Sequence, residues 1–137
     1  MGRFDSVSQQ PDCVFLEMVF PEQANHYGTL YGSKGLEIMG RAAFIAASRH
    51  SRKSVVMAAT DKVVFRTPVP VGSLLEFTAA VVRTGRTSMT VAVEATLERM
   101  PDGERTPAMT GRFEMVAINA DGRPTPLQIE PAKETHS

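Results

Sequence analysis

The segment Asn25-His26-Tyr27-Gly28-Thr29-Leu30-Tyr31-Gly32-Ser33 is rich in turn formers and runs directly into a long apolar stretch. If that stretch is a helix, the backbone N–H groups at its start are donors for an anion or for an oxygen that gains charge during a reaction. Asn25 taken alone is a turn residue, because asparagine bonds its own backbone for local reasons. Other reactive patterns are missing. Gly32-Ser33-Lys34-Gly35 does not have the spacing of a G-x-S-x-G nucleophile elbow, and no Asp or His arrangement completes a triad. Cys13 stands alone in a strand-like run and is expected to be an inert core thiol. His26, His50 and His136 share no metal-ligand spacing with a Cys or carboxylate cluster, so no metal is expected. P-loop and dinucleotide fingerprints are absent from the sequence.

The element that must position this lead-in is one helix. Ser33 is a candidate N-cap, and Arg49, His50 and Arg52 place positive charge where the helix dipole is negative, which predicts about 18 residues spanning roughly 27 Å. Leu36, Met39, Ala43 and Ala46 form one stripe at helical spacing. Ile38, Ala42, Phe44, Ile45 and Ala47 make most of the remaining circumference apolar or small, so other structure must wrap the helix. Ala42, Ala43, Ala46 and Ala47 leave little side chain to hold a sheet away.

Length and charge bound the surroundings. A chain of 137 residues with 42% hydrophobic content makes one domain with a core of its own. Fifteen basic residues balance fifteen acidic ones, which argues against a partner such as nucleic acid or an anionic membrane. The single cysteine and the absence of a signal pattern suggest a reducing, cytoplasmic setting, and no apolar run reaches the length of a membrane span. Residues 1–11 are polar and expected to be flexible; Met1-Gly2 with Ser6 formally fits a myristoylation pattern that chance explains better.

Strand signals fill the rest. Cys13 to Phe20 is expected to be a strand buried on both faces except at Glu17, and Val55 to Phe65 a long strand interrupted by Asp61-Lys62. Leu75, Phe77, Ala79 and Val81 alternate with polar residues in the next segment, as do Met89, Val91, Val93, Ala95 and Leu97 in the one after. Met109, Gly111, Phe113, Met115 and Ala117 give a final strand, and turns are expected at Thr84-Gly85-Arg86, around Asp102-Gly103 and at Asn119 to Gly122. Residues 12–124 therefore form the single folded domain, with 125–137 an irregular or disordered tail. The fold class is α+β: an antiparallel sheet with one long helix on its face.

The motif Asn25-x-x-Gly28-x-x-x-Gly32-Ser33 leading into the helix resembles the signature of hotdog-fold acyl-CoA thioesterases, especially the YciA-like branch. Asp61 to Phe77, Gly85 to Glu94 and Gly111 to Pro124 resemble later regions of that branch, so the likeness runs from about Phe15 to Pro124. It implies a hotdog fold, with the sheet wrapped around the central helix, and hydrolysis of acyl-CoA by activated water, releasing free CoA and a carboxylic acid. No cofactor is implied, since CoA is part of the substrate, and the partner implied is a second copy, in a homodimer or higher homo-oligomer whose site lies between protomers. Asn25 matches the family's lead-in asparagine, whose amide positions the carbonyl or the water, while Gly32 and Ser33 supply N–H donors for the oxyanion. Gly85, Arg86, Thr87 and Ser88 match the turn near the nucleotide, and Arg66, with Arg83, adds positive charge for phosphates.

One departure bears on catalysis. The family's carboxylate lies two helical turns into the helix, and the matching position here is Gly40. Glu37, one turn earlier on the same face, is a possible substitute base, with a solvated or ion-paired glutamate as its ordinary reading. Asp61 is a second candidate. The alternative function is a catalytically impaired acyl-CoA-binding hotdog protein; a hotdog dehydratase lacks the expected Asp/His pairing.

Overall fold

The computed structural model describes residues 10–127. Along them run β1 (Cys13–Met18), a 3-10 turn (Pro21–Gln23), α1 (Gly32–Ser51), β2 (Ser54–Phe65), β3 (Leu74–Thr84), β4 (Ser88–Glu98) and β5 (Arg105–Ile118). The five strands form one sheet in the order β1-β3-β4-β5-β2, with each neighbouring pair antiparallel. α1 packs across its inner face and touches every strand. This is the hotdog-type α+β arrangement that the sequence resemblance implied.

Alternation explains the packing. Met89, Val91, Val93, Ala95 and Leu97 of β4 are all buried, as are Phe77 on β3 and Phe113 and Met115 on β5. They face the buried side of α1, where Met39, Ala42, Ala43, Ala46 and Ala47 are completely shielded from water. The small alanines let the sheet close on the helix backbone, and each large buried side chain contributes about 1.5–3 kcal/mol. β3–β4 and β4–β5 are the expected hairpins. The segment between β2 and β3 is instead a crossover, since β4 and β5 lie between those two strands in the sheet.

Several local expectations are corrected. Tyr31, not Ser33, is the N-cap: its backbone is extended (φ −60°, ψ 138°) and no side chain caps it. The helix ends at Arg52 in the left-handed region (φ 57°), with its N–H donated to the Ser48 carbonyl. β1 is not buried on both faces. It is an edge strand with Val14, Leu16 and Met18 exposed, because its outward face meets no second layer among the described residues. Nor does the sheet wrap the whole helix, for Leu36 and Phe44 remain exposed. β5 begins at Arg105, earlier than its apolar alternation suggested, where the Arg105 guanidinium bridges Glu98 of the adjoining β4 and Glu76 of β3, one strand further on.

The break expected at Asp61-Lys62 is a bulge. The β2–β5 register shifts between Asp61 and Val64, and Lys62 takes a left-handed conformation (φ 54°) that costs a non-glycine residue about 1 kcal/mol or more. Residues 125–127 have irregular backbone but return to the sheet end, where the Thr125 N–H donates to the Ala117 carbonyl (2.9 Å) and the Leu127 N–H to that of Arg86 (2.9 Å). The expectations for residues 1–9 and 128–137, His136 included, lie outside the described residues. No helix among the described residues is long and apolar enough to cross a membrane.

Candidate functional site

The lead-in to α1 is a built turn centred on Asn25. Its Oδ1 accepts hydrogen bonds from the Tyr27 N–H (2.9 Å), the Thr29 N–H (3.1 Å) and the Thr29 hydroxyl (3.2 Å). Two of these donors are backbone amides, so the side-chain oxygen is the atom facing the turn. The amide nitrogen is thereby turned away, and it has no hydrogen-bond partner among the described residues. Gly28 closes the turn with φ +80°, a conformation that favours glycine. The turn is held from both sides: Tyr31 donates its N–H to the Gln23 carbonyl (3.1 Å), Leu30 to Val69 (2.8 Å), and Val71 to Gly28 (3.0 Å).

Two residues beyond the turn the helix begins. The Gly35 N–H donates to the Tyr31 carbonyl (3.0 Å), so the N–H groups of Gly32, Ser33 and Lys34 precede the first helical hydrogen bond. Gly32 and Ser33 are exposed, and Gly32 lines a cavity of about 220 Å³ with Leu30, Tyr31, Phe65 and Arg66. The structure thus brings Gly32 and Arg66, two of the residues singled out from sequence, to one cavity. Arg66, which lines the cavity and is exposed, donates its backbone N–H to the Ala108 carbonyl (2.7 Å). The cavity can seat an apolar chain, with helix N–H donors and one cation among its lining residues.

Gly40 lies eight residues into the helix, about 12 Å along its axis from Gly32. It is half-buried in a row with Leu36 and Phe44, at the spacing of successive turns. A Cβ built on Gly40 would meet the Met57 Cε at 3.2 Å, on β2. Met57 was not singled out from sequence, because nothing in strand alternation ties a β2 residue to one helical position. Glu37 is exposed and paired with Lys34 at 3.5 Å, the ordinary reading of a helix-surface glutamate. Asp61 is exposed at the bulge, opposite Arg112 in the ladder.

The turn at residues 85–88 lies elsewhere. The Gly85 N–H donates to the Ser88 carbonyl (2.8 Å), and a Cβ on Gly85 would fall 2.9 Å from the Ser88 hydroxyl, which would have to turn away. Thr87 accepts the Ala117 N–H through its carbonyl (2.9 Å), and Arg86 is exposed. Gly85 and Thr84 line a polar cavity with His50 and Ser51, at the C-terminal end of α1. Gly85, Arg86, Thr87 and Ser88 are therefore about a helix length, roughly 30 Å, from Gly32 within one chain. Arg83 is an exposed residue at the end of β3. His26 stacks obliquely on Tyr27 with ring centres 4.0 Å apart, which gives it a local structural role. Cys13 is buried, and desolvation pushes its thiol pKa above the ordinary value despite the opposing charge of Arg49.

The free edge of the sheet passes beside this region. β2 is an edge strand, and its Val56, Met57, Val64 and Phe65 are between 40% and 49% exposed. Met57 and Phe65 face the helix, beside Gly40 and Gly35, whereas Val56 and Val64 lie on the outer face of the sheet; Phe65 and Tyr31 line the cavity.

Residues 27–103 match the thioesterase superfamily. An uncharacterised acyl-CoA thioester hydrolase of Zymomonas mobilis is 36% identical over 118 residues, which cover 86% of this chain and 78% of that protein. Among solved structures, a hexameric acyl-CoA thioesterase superposes with a TM-score of 0.81 at 36% identity, over 83% of this chain and 73% of the other. An acyl-CoA hydrolase of Staphylococcus aureus, solved with butyryl coenzyme A, coenzyme A and coenzyme A disulfide, superposes with a TM-score of 0.80 at 30% identity, over 83% and 70% of the two chains. In that hydrolase three residues have been replaced by alanine: an asparagine, an aspartate fifteen positions after it, and a threonine seventeen positions beyond the aspartate.

Proposed function

The chain belongs to the thioesterase superfamily, and on that premise we propose that it is an acyl-CoA thioester hydrolase that assembles its site between two copies of itself. The observation that carries the reading is the pairing of Asn25 with the helix start. A turn locks the asparagine oxygen inward and leaves the amide nitrogen free, seven positions before Gly32, the first of the N–H groups that have no helical acceptor.

Those donors suit a thioester. When a water oxygen bonds to the acyl carbon, the carbonyl oxygen becomes an oxyanion, and N–H donors fixed in advance stabilise it without reorganising. The C–S bond then breaks; one water proton goes to the CoA sulfur and the other to solvent, leaving the carboxylic acid as carboxylate. The cavity beside Gly32 suits the acyl chain, and Arg66 in its lining suits a phosphate or the pantetheine end.

Geometry supports a second protomer. Gly40 stands about 12 Å from the helix start, whereas a carbonyl and its attacking water meet at about 3–3.5 Å, so the two regions of one chain cannot serve one thioester. α1 runs antiparallel to β2, with Gly35 over Phe65 and Gly40 over Met57. A two-fold pairing of the free β2 edge with itself is antiparallel too, and it carries the Met57 end of one protomer to the Phe65 end, and hence the helix start, of the other. The turn at Gly85 to Ser88 would then contribute Arg86 to the nucleotide from a neighbouring protomer.

The test is release of free CoA from short, medium and long acyl-CoAs, together with calorimetric binding of CoA. Saturable binding with CoA release is the expected result. A protein that neither binds CoA nor releases it from any chain length would overturn the proposal.

A further inference from the structure

Counting the intervals of the S. aureus hydrolase from Asn25 leads to Gly40 and then to Met57. These are the two residues that touch: the Gly40 Cβ position and the Met57 Cε are 3.2 Å apart, although the residues stand on different elements. Where the relative has a carboxylate and a hydroxyl, this chain has no side chain and a thioether. Resting on the thioesterase reading, we infer that Gly40 and Met57 are a single coupled replacement, in which Met57 fills the place of the missing carboxylate and makes the site hold acyl-CoA while hydrolysing it slowly.

The coupling follows from size and polarity. A Cβ at position 40 falls closer to the methionine methyl than all but a few real contacts, so a carboxylate cannot enter without moving Met57. A carboxylate forced against a methyl group also loses water, which raises its pKa and favours the neutral form. Threonine at 57 facing Gly40 would leave a gap with no carboxylate for its hydroxyl to meet. Glycine with methionine packs, and aspartate with threonine hydrogen-bonds; the mixed pairs do neither. The nearest helix carboxylate, Glu37, is exposed and paired with Lys34 at 3.5 Å. Hydrolysis then proceeds without a positioned base, while the donors and the cavity that bind acyl-CoA are untouched.

The experiment compares the unmodified protein with Gly40→Asp, Met57→Thr and the combined variant, by single-turnover CoA release and by calorimetric binding of CoA. The combined variant is expected to gain at least about 10²-fold in rate. Each single variant recovers less than a tenth of that gain, and CoA affinity stays within about threefold, a non-additivity expected of residues in contact. Gly40→Asp with Met57→Ser provides a second combined variant should the first fold poorly, as read by circular dichroism. Full recovery by Gly40→Asp alone would overturn the inference. So would unmodified protein as fast as the combined variants, or combined variants that bind CoA yet gain nothing. Loss of CoA binding in all the proteins would overturn the thioesterase reading itself, and this inference with it.

Discussion

Asn25 has two jobs that one pair of substitutions separates. Its oxygen accepts three hydrogen bonds that shape the turn, and its nitrogen is the proposed donor to the acyl oxygen. Asn25→Ala removes both. Each neutral bond is worth about 0.5–1.5 kcal/mol net, and the half-exposed setting places these at the lower end, so the loss is roughly 1–2 kcal/mol, or about 3–8 °C in Tm. Asn25→Asp keeps the acceptor oxygen and strengthens it with charge, so its Tm is expected within about 2 °C of the unmodified protein. It nevertheless replaces the donor nitrogen with an anionic oxygen beside a developing oxyanion, and the single-turnover rate of CoA release should fall by about 10²–10³. Thermal denaturation and CoA release on the two variants check both halves. An aspartate variant that retains a third of the rate refutes the role of the nitrogen, and one that melts as low as the alanine variant refutes the role of the oxygen.

Further measurements follow from other residues. Arg66→Ala should raise the KM for acyl-CoA roughly tenfold, since one charge-assisted bond contributes about 1.5–3 kcal/mol, with little change in kcat; an unchanged KM would remove Arg66 from the site. Val64→Lys, on the free β2 edge, should shift the assembly toward monomer in light scattering and abolish turnover together with assembly, whereas an intact oligomer would place the interface elsewhere. Glu37→Gln should leave the rate within about twofold, because its carboxylate is occupied by Lys34 at the surface; a 10²-fold loss would make it the base. Cys13 should resist thiol reagents in the native state at pH 8. Its folded pKa is raised, so its contribution to stability is intact below the ordinary thiol range and is lost as pH rises through the raised value; denaturation melts across the alkaline range check the sign.

Elements with a strong period were legible. β4 shows strict alternation in the chain, and every apolar residue of that alternation is buried against the helix. Boundaries set by backbone geometry were less so: Ser33 has the side chain of a cap, but Tyr31 occupies that place through its φ and ψ alone. β1 misled because a run such as Cys13 to Phe20 has the same composition at the centre of a sheet as at an edge, and only strand order distinguishes them. The lead-in turn was visible through Asn25 and Gly28, whereas the division of labour between the two ends of the Asn25 amide needed coordinates. Met57 was invisible because its partner lies on another element.

The apolar circumference of the helix is the instructive case. Sequence demanded that α1 be wrapped all round, yet the chain's own sheet leaves Leu36 and Phe44 exposed, with Gly40 half-buried between them. The uncovered row lies along the same side as the unpaired edge of β2, whose helix-facing Met57 and Phe65 are also uncovered. An isologous pairing of β2 would satisfy both demands at once, extending the ladder and covering the row, and the bulge at Asp61-Lys62 would set which register that pairing can adopt. The apolar helix face is then a requirement placed on the assembly, and Gly40 with Met57 sits where one protomer's helix would approach the other's donors. On this argument a substitution at that contact alters turnover through two chains together. Mixing Asn25→Asp subunits with combined-variant subunits should therefore give activity in hybrid dimers that depends on which protomer carries which change.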